Sequence, residues 1–187
     1  MGAQRRIAVL VVLPWLLAGP VAAAQGPSPR AGSQPSPASA SEAASPFAAR
    51  SAWFGEWRLN PGRSVYRPGP APYRRGTCRI EAVGDQVRMV YDLIPVRGGV
   101  THMEWTGRFD GRDYPVQGVD EVITYAYTPV DARTMQVTLK VDGRVAADAT
   151  VVLAPDGSTL STDTRVLDPR GGNLVTRTVY ERQPNGS

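Results

Sequence analysis

Phe54-Gly55-Glu56-Trp57-Arg58-Leu59-Asn60 is the stretch on which the fold turns. Gly55 lets the backbone approach a neighbour closely, because no Cβ stands in the way. Two residues on, Trp57 supplies a large apolar plug with a single N–H that needs an acceptor. The strand read here runs from Trp53 to Asn60 and is broken by Asn60-Pro61-Gly62. Residues 61–76 follow as a proline- and glycine-rich irregular stretch that excludes a central strand. Within it, Ser64-Val65-Tyr66 is compatible with one short helical turn.

Beyond Gly76 the pattern becomes regular. Segments of alternating apolar and polar residues cover Cys78 to Val83, Val87 to Leu93, Val100 to Phe109, Glu121 to Thr128, Thr134 to Val141, Val145 to Leu153, Thr159 to Leu167 and Leu174 to Arg182. A short segment lies at Asp113-Tyr114-Pro115-Val116. Turn signals separate them: Gly84-Asp85, Arg97-Gly98-Gly99, Asp110-Gly111, Asp142-Gly143, Pro155-Asp156-Gly157 and Gly171-Gly172. No helical period of useful length occurs. Short strands joined by hairpins argue an all-β domain, either a barrel or a sandwich. A pure meander favours the barrel, since a Greek-key sandwich needs long return connections and an open meander leaves two free edges. The expectation is an antiparallel up-and-down barrel of about 8–10 strands.

The Gly-x-Trp on the first strand, the long loop after it and the meander resemble the opening of lipocalins and related calycin β-barrels. In that family the Trp seals the closed end of the barrel, and an Arg from the last strand lies across it. The resemblance therefore implies a closure set of Gly55 and Trp57 with Arg177 or Arg182. It also implies binding of a small apolar ligand at the other end. The order W-x-L-N, S-x-Y, G-P-x-P over residues 57–72 further resembles a family of uncharacterised secreted bacterial domains.

Ahead of this domain, Arg5 and Arg6 precede an apolar run from Ile7 to Ala18, and Ala22-Ala23-Ala24 offers a small-residue cleavage site. Residues 1–24 thus read as a secretory signal peptide, too short in its apolar run to span a bilayer. Residues 25–50, rich in Pro, Ser and Ala, read as a disordered linker. The barrel domain is assigned to residues 51–183 and a loose tail to 184–187. The expected location is periplasmic or extracellular, soluble after cleavage. Removing the signal lowers the net charge from +4 to +2, which gives no argument for nucleic acid as a partner. The single cysteine, Cys78, precludes an internal disulfide.

Catalytic signatures are missing from the sequence. His102, the only histidine, alternates with Glu104 on one strand face. That pair suits an outward polar contact better than general-base work, because no nucleophile stands at a recognisable spacing. One His and one Cys make a zinc site a poor reading, and no cofactor motif is present. Candidate ligand-binding residues are Trp57, Tyr66, Arg67, Tyr73, Arg74, Arg75, Trp105, Tyr125 and Tyr127. The aromatics are placed there as cavity floor or wall, the arginines as a basic lip. Two functions follow as alternatives. One is an exported non-catalytic barrel that takes a small hydrophobic or amphiphilic ligand. The other is an envelope interaction module with a solid barrel, contacting an anionic polymer or protein through the Arg-rich first loop. In Thr159 to Leu167 one face is Leu160, Thr162, Thr164 and Val166 and the other Thr159, Ser161, Asp163 and Arg165, while in the last strand Val175, Arg177 and Val179 oppose Thr176, Thr178 and Tyr180. Neither face is purely aliphatic, which fits either a polar-flecked cavity or an ordinary shallow core with Thr-rich outer faces.

Overall fold

The computed structural model describes residues 48–67, 69–167 and 173–184. Residues 1–47, read above as a leader and most of a linker, lie outside the described residues, as do Pro68, residues 168–172 with the turn expected at Gly171-Gly172, and residues 185–187. A 3-10 turn, Ala48–Trp53, leads into eleven strands: β1 (Gly55–Leu59), β2 (Val65–Arg67), β3 (Tyr73–Val83), β4 (Gln86–Pro95), β5 (Thr101–Gly107), β6 (Tyr114–Gln117), β7 (Ile123–Pro129), β8 (Thr134–Val141), β9 (Arg144–Leu153), β10 (Thr159–Leu167) and β11 (Asn173–Arg182).

From β3 to β11 every strand pairs antiparallel with the next in sequence, and β1 pairs with both β3 and β11. Ten strands thus close into an up-and-down barrel. The closing register sets Trp57 opposite Arg182, Arg58 opposite Glu181 and Leu59 opposite Tyr180. The closure removes both edges that an open meander would leave exposed. The hairpin β8–β9 shows why the turns form where they do. Asp142 and Gly143 both take positive φ, 50° and 74°, the conformation of a two-residue turn whose twist matches its strands.

Three local expectations are corrected. The first strand starts at Gly55, not Trp53, because the 3-10 turn carries Trp53 under the barrel. There Trp53 is buried and its Nε1 donates to the Ala132 carbonyl at 2.9 Å. That turn also takes up residues 48–50, which the composition had placed in the linker. Finally, Val65–Arg67 is a strand and not a helical turn. β1 has only five residues and pairs with the last three of β11. β2 fills the remaining edge of β11, with Arg67, Tyr66 and Val65 opposite Val175, Thr176 and Arg177.

The strand period of two sorts side chains into lumen and outer wall. Trp57, Leu59, Ile80, Val87, Met89, Leu93, Met103, Trp105, Met135, Leu139 and Leu153 point inward and are buried. The outer wall carries charge along the strands: Arg88 bridges Glu81 and Glu104, Arg177 pairs with Asp163, Lys140 with Asp113 and Arg165 with Asp148. A barrel facing lipid would present apolar side chains at these positions. No described helix is long and apolar enough to cross a membrane.

Candidate functional site in the barrel lumen

One end of the lumen is shut by the first and last strands. Trp57 is fully buried, and its Nε1 donates to the Trp53 carbonyl at 3.1 Å. The Arg182 guanidinium lies 4.2 Å from the Trp57 ring centre. It donates to the carbonyls of Gly157 (2.8 Å), Phe54 (2.7 Å) and Ala52. Gly55 has φ of 131°, and a Cβ there would meet Arg182 Nη1 at 2.9 Å. Only glycine therefore suits this position. Partial burial pulls the Arg182 pKa down, and the three carbonyls compensate the lost hydration of the cation.

Arg177, the other candidate for closure, lies elsewhere. Thr176, Thr178, Tyr180 and Arg182 share the inward parity of β11, so Arg177 falls on the outer wall. It grips Asp163 there through two bonds, 2.8 Å from Nε and 2.7 Å from Nη2.

An arginine of the last strand thus lies over the tryptophan of the first, at the closed end of a ten-strand meander. Among solved structures, the zebrafish ileal bile acid-binding protein complexed with cholic acid is similar at a TM-score of 0.44 and 10% identity, covering 71% of this chain and 100% of that one. A siderocalin, Ex-FABP, described as having dual ligand specificities, is similar at a TM-score of 0.36 and 14% identity, covering 73% of this chain and 74% of that one. No protein-family model matches the chain, and no curated protein matches it.

Above the plug, the barrel is partly filled. Trp105 donates to the Tyr125 carbonyl at 3.3 Å and packs against Tyr127, with ring centres 4.6 Å apart. Phe109 and Tyr114 complete this aromatic cluster at 6.2 and 5.9 Å from Trp105. Elsewhere the inward positions are not all sealed. Tyr91, Ala149, Val151, Thr162, Thr178 and Tyr180 have inward parity yet are only half-buried. All six line a cavity of about 80 Å³, with Trp53 and Tyr73 among its other walls. The accessible surface they keep is cavity wall.

Of the residues expected to bind a ligand, Tyr66, Tyr73, Tyr125 and Tyr127 line this cavity. Trp57 and Trp105 are buried but belong to the plug and the aromatic cluster. Arg67, Arg74 and Arg75 are exposed at the opposite end of the barrel, on the residues flanking the β2–β3 connection. They do not line the cavity. The sequence reading did not single out Tyr91, Cys78, Tyr180 or the four threonines Thr162, Thr164, Thr176 and Thr178, which all do. A signal for them existed in the mixed faces of β10 and β11. Those faces alternate correctly but put hydroxyls where a filled core would have aliphatic groups.

His102 points outward and its Nδ1 lies 2.7 Å from Asp92 Oδ1, while Glu104 serves Arg88. Among the described residues, no three His, Cys, Asp or Glu side chains come together as a metal site would require.

Burial pushes the Cys78 thiol up to about 12, and a contact with Tyr91 only partly opposes this. The hydroxyls of Tyr91, Tyr125, Tyr127, Tyr180 and Tyr73 are all raised, in each case first by desolvation. These groups hold their protons more tightly folded than unfolded. Their contribution is therefore complete below the unfolded pKa values, 9.0 for the thiol and 10.0 for the phenols, and is lost as pH rises through the folded ones. The expected result is a urea midpoint that is steady near neutral pH and falls progressively above about pH 9–10. A midpoint unchanged up to about pH 11.5 would contradict the protonated lumen. In the same experiment Cys78 should resist alkylation in the native protein and react once the chain unfolds.

Proposed function

We propose that this chain is an exported, non-catalytic carrier that holds a compact hydrophobic or amphiphilic molecule in its barrel lumen. The supporting observation is the ring of inward-facing but half-buried residues, Tyr91, Ala149, Val151, Thr162, Thr178 and Tyr180, around one cavity. Natural cores close such gaps, because an unfilled space forfeits packing on every side. The volume of about 80 Å³ is below the roughly 150 Å³ apolar cavity that admits benzene, so the ligand is compact or only its head enters. The lining favours binding over chemistry. It consists of aliphatic, thioether and aromatic groups, hydroxyls and one protonated thiol, with Asp148 as its one charged residue and His102 on the outer wall. Export rests on the leader-like residues 1–24.

Titration with 1-hexanol tests the reading, followed by tryptophan fluorescence because Trp53 lines the cavity. A saturable change is expected in the wild type. It should vanish in Ala149→Phe, which fills the space, while circular dichroism shows the fold retained. A linear, unsaturated response, or equal binding by Ala149→Phe, would contradict the carrier reading.

A second reading concerns the end opposite the plug. Val96 N donates to the Pro72 carbonyl at 2.9 Å, which brings the turn bearing Arg97 beside the strand start bearing Arg74 and Arg75. Arg67 stands at the end of β2, across the same connection. All four are exposed, and none forms an ion pair among the described residues. This patch suits an anionic envelope polymer. Salt-sensitive retention on such a polymer, lost on changing Arg67, Arg74 and Arg75 to Ala, would favour it.

A further inference from the structure

We propose that the lumen selects an uncharged molecule ending in a hydroxyl or carbonyl oxygen, which hydrogen-bonds to the wall formed by Thr162, Thr164, Thr176 and Thr178. The inference deepens the carrier reading and rests on it.

The wall is built by register. β10 and β11 set Thr162 opposite Thr178 and Thr164 opposite Thr176, so four hydroxyl-bearing side chains form a compact square on the lumen surface. Tyr66 of β2 stands opposite Thr176 on the next strand and also lines the cavity. Thr162 and Thr178 keep surface open to the cavity. Thr164 is only 2% exposed, and its Oγ1 has no hydrogen-bond partner among the described residues. A buried hydroxyl without a partner carries a desolvation cost that a valine of the same shape would not. The chain therefore keeps a polar atom at a position where packing alone favours an apolar one. A ligand oxygen at this wall meets the open side chains of Thr162 and Thr178, and the shielded Thr164 hydroxyl gains it as a partner once its side chain turns toward the lumen. Threonine both donates and accepts, so a carbonyl and a hydroxyl are both served.

The cavity lacks the means to hold a charge. Asp148 is the one charged residue among those lining it. Its position on β9 alternates with inward Ala147 and Ala149, and its carboxylate pairs with Arg165 on the outer wall at 3.5 Å. No cationic side chain lines the cavity among the described residues. A carboxylate brought in would lose its water with no counter-ion to replace it, and an ammonium likewise. The raised thiol and phenol pKa values report the same hostility to negative charge.

The test compares probes of one length at about pH 8, where hexanoate is ionised. 1-Hexanol and 2-hexanone should bind the wild type, with hexanoate at least about tenfold weaker. The double variant Thr164→Val/Thr178→Val should lose about tenfold in 1-hexanol affinity, whereas Thr164→Ser/Thr178→Ser, which keeps the hydroxyls, should stay near wild type. Hexanoate binding as tightly as hexanol would overturn the inference while leaving the carrier reading intact. So would undiminished hexanol binding by the valine variant. If that variant does not fold, the wild-type comparison of hexanol with hexanoate still decides. Failure of every probe to bind saturably would instead remove the carrier reading itself, and this inference with it.

Discussion

Trp57→Ala should lower the unfolding free energy by about 3–5 kcal/mol, read from urea or guanidinium denaturation. The side chain is fully buried, so its removal opens a large space at the base of the barrel. It also strips the Trp53 carbonyl of its N–H donor and the Arg182 guanidinium of the ring beneath it. Those losses compound, because Trp53 itself floors the cavity and holds the Ala132 carbonyl. Trp57→Phe separates the contributions. It keeps most of the packing and loses the N–H, so it should cost about 1–2 kcal/mol. A loss under about 1 kcal/mol for the alanine variant would mean that Trp57 does not plug a core.

Arg182→Ala is the second large effect, expected at about 3 kcal/mol. The guanidinium joins three separate segments at the barrel base. It reaches the 3-10 turn at Ala52, Phe54 just ahead of β1 and the β9–β10 turn at Gly157. Alanine leaves all three carbonyls without that donor and removes the cation from the Trp57 face. Lysine keeps the charge but not the planar fork, and should recover less than half of the loss. In a double-mutant cycle with Trp57→Ala, the two costs should be sub-additive by about 1 kcal/mol, the value of the stacked cation. Strict additivity would show that Arg182 acts through its carbonyl contacts alone.

The parts of this structure that follow short-range rules were legible in the sequence. Hairpin signals such as Asp142-Gly143 and strict alternation in Thr134 to Val141 fixed strand order and facing, because turn geometry and the period of two are local properties. The closure at Gly55, Trp57 and Arg182 was legible only through resemblance, since nothing local says which strand meets which. Choosing Arg182 over Arg177 needed the parity of β11, which Thr176 and Thr178 would have supplied had their face been recognised as inward. β2 was misread for a related reason. Its pairing is with the exposed edge of β11, more than a hundred residues away, and propensity in a proline-rich stretch carries no trace of it. The cavity posed a different problem. Aromatics were taken as its walls, and the tyrosines do line it, but Trp57 and Trp105 fill space instead. Whether a large side chain plugs or lines depends on the level along the barrel at which it enters, which is a tertiary quantity. The arginines of the first loop were read as a basic lip, and their strand positions turn them to solvent at the end opposite the plug, outside the cavity wall.

The most direct test of the central claim, a hollow lumen that carries a small molecule, is native mass spectrometry. The protein is recovered from its natural source without detergent or organic solvent and weighed intact and denatured. A discrete additional mass is expected in the native spectrum, lost on denaturation and absent from Ala149→Phe. The same bare mass in both states, with wild type and Ala149→Phe indistinguishable, would contradict it and leave a filled barrel that acts through its surface.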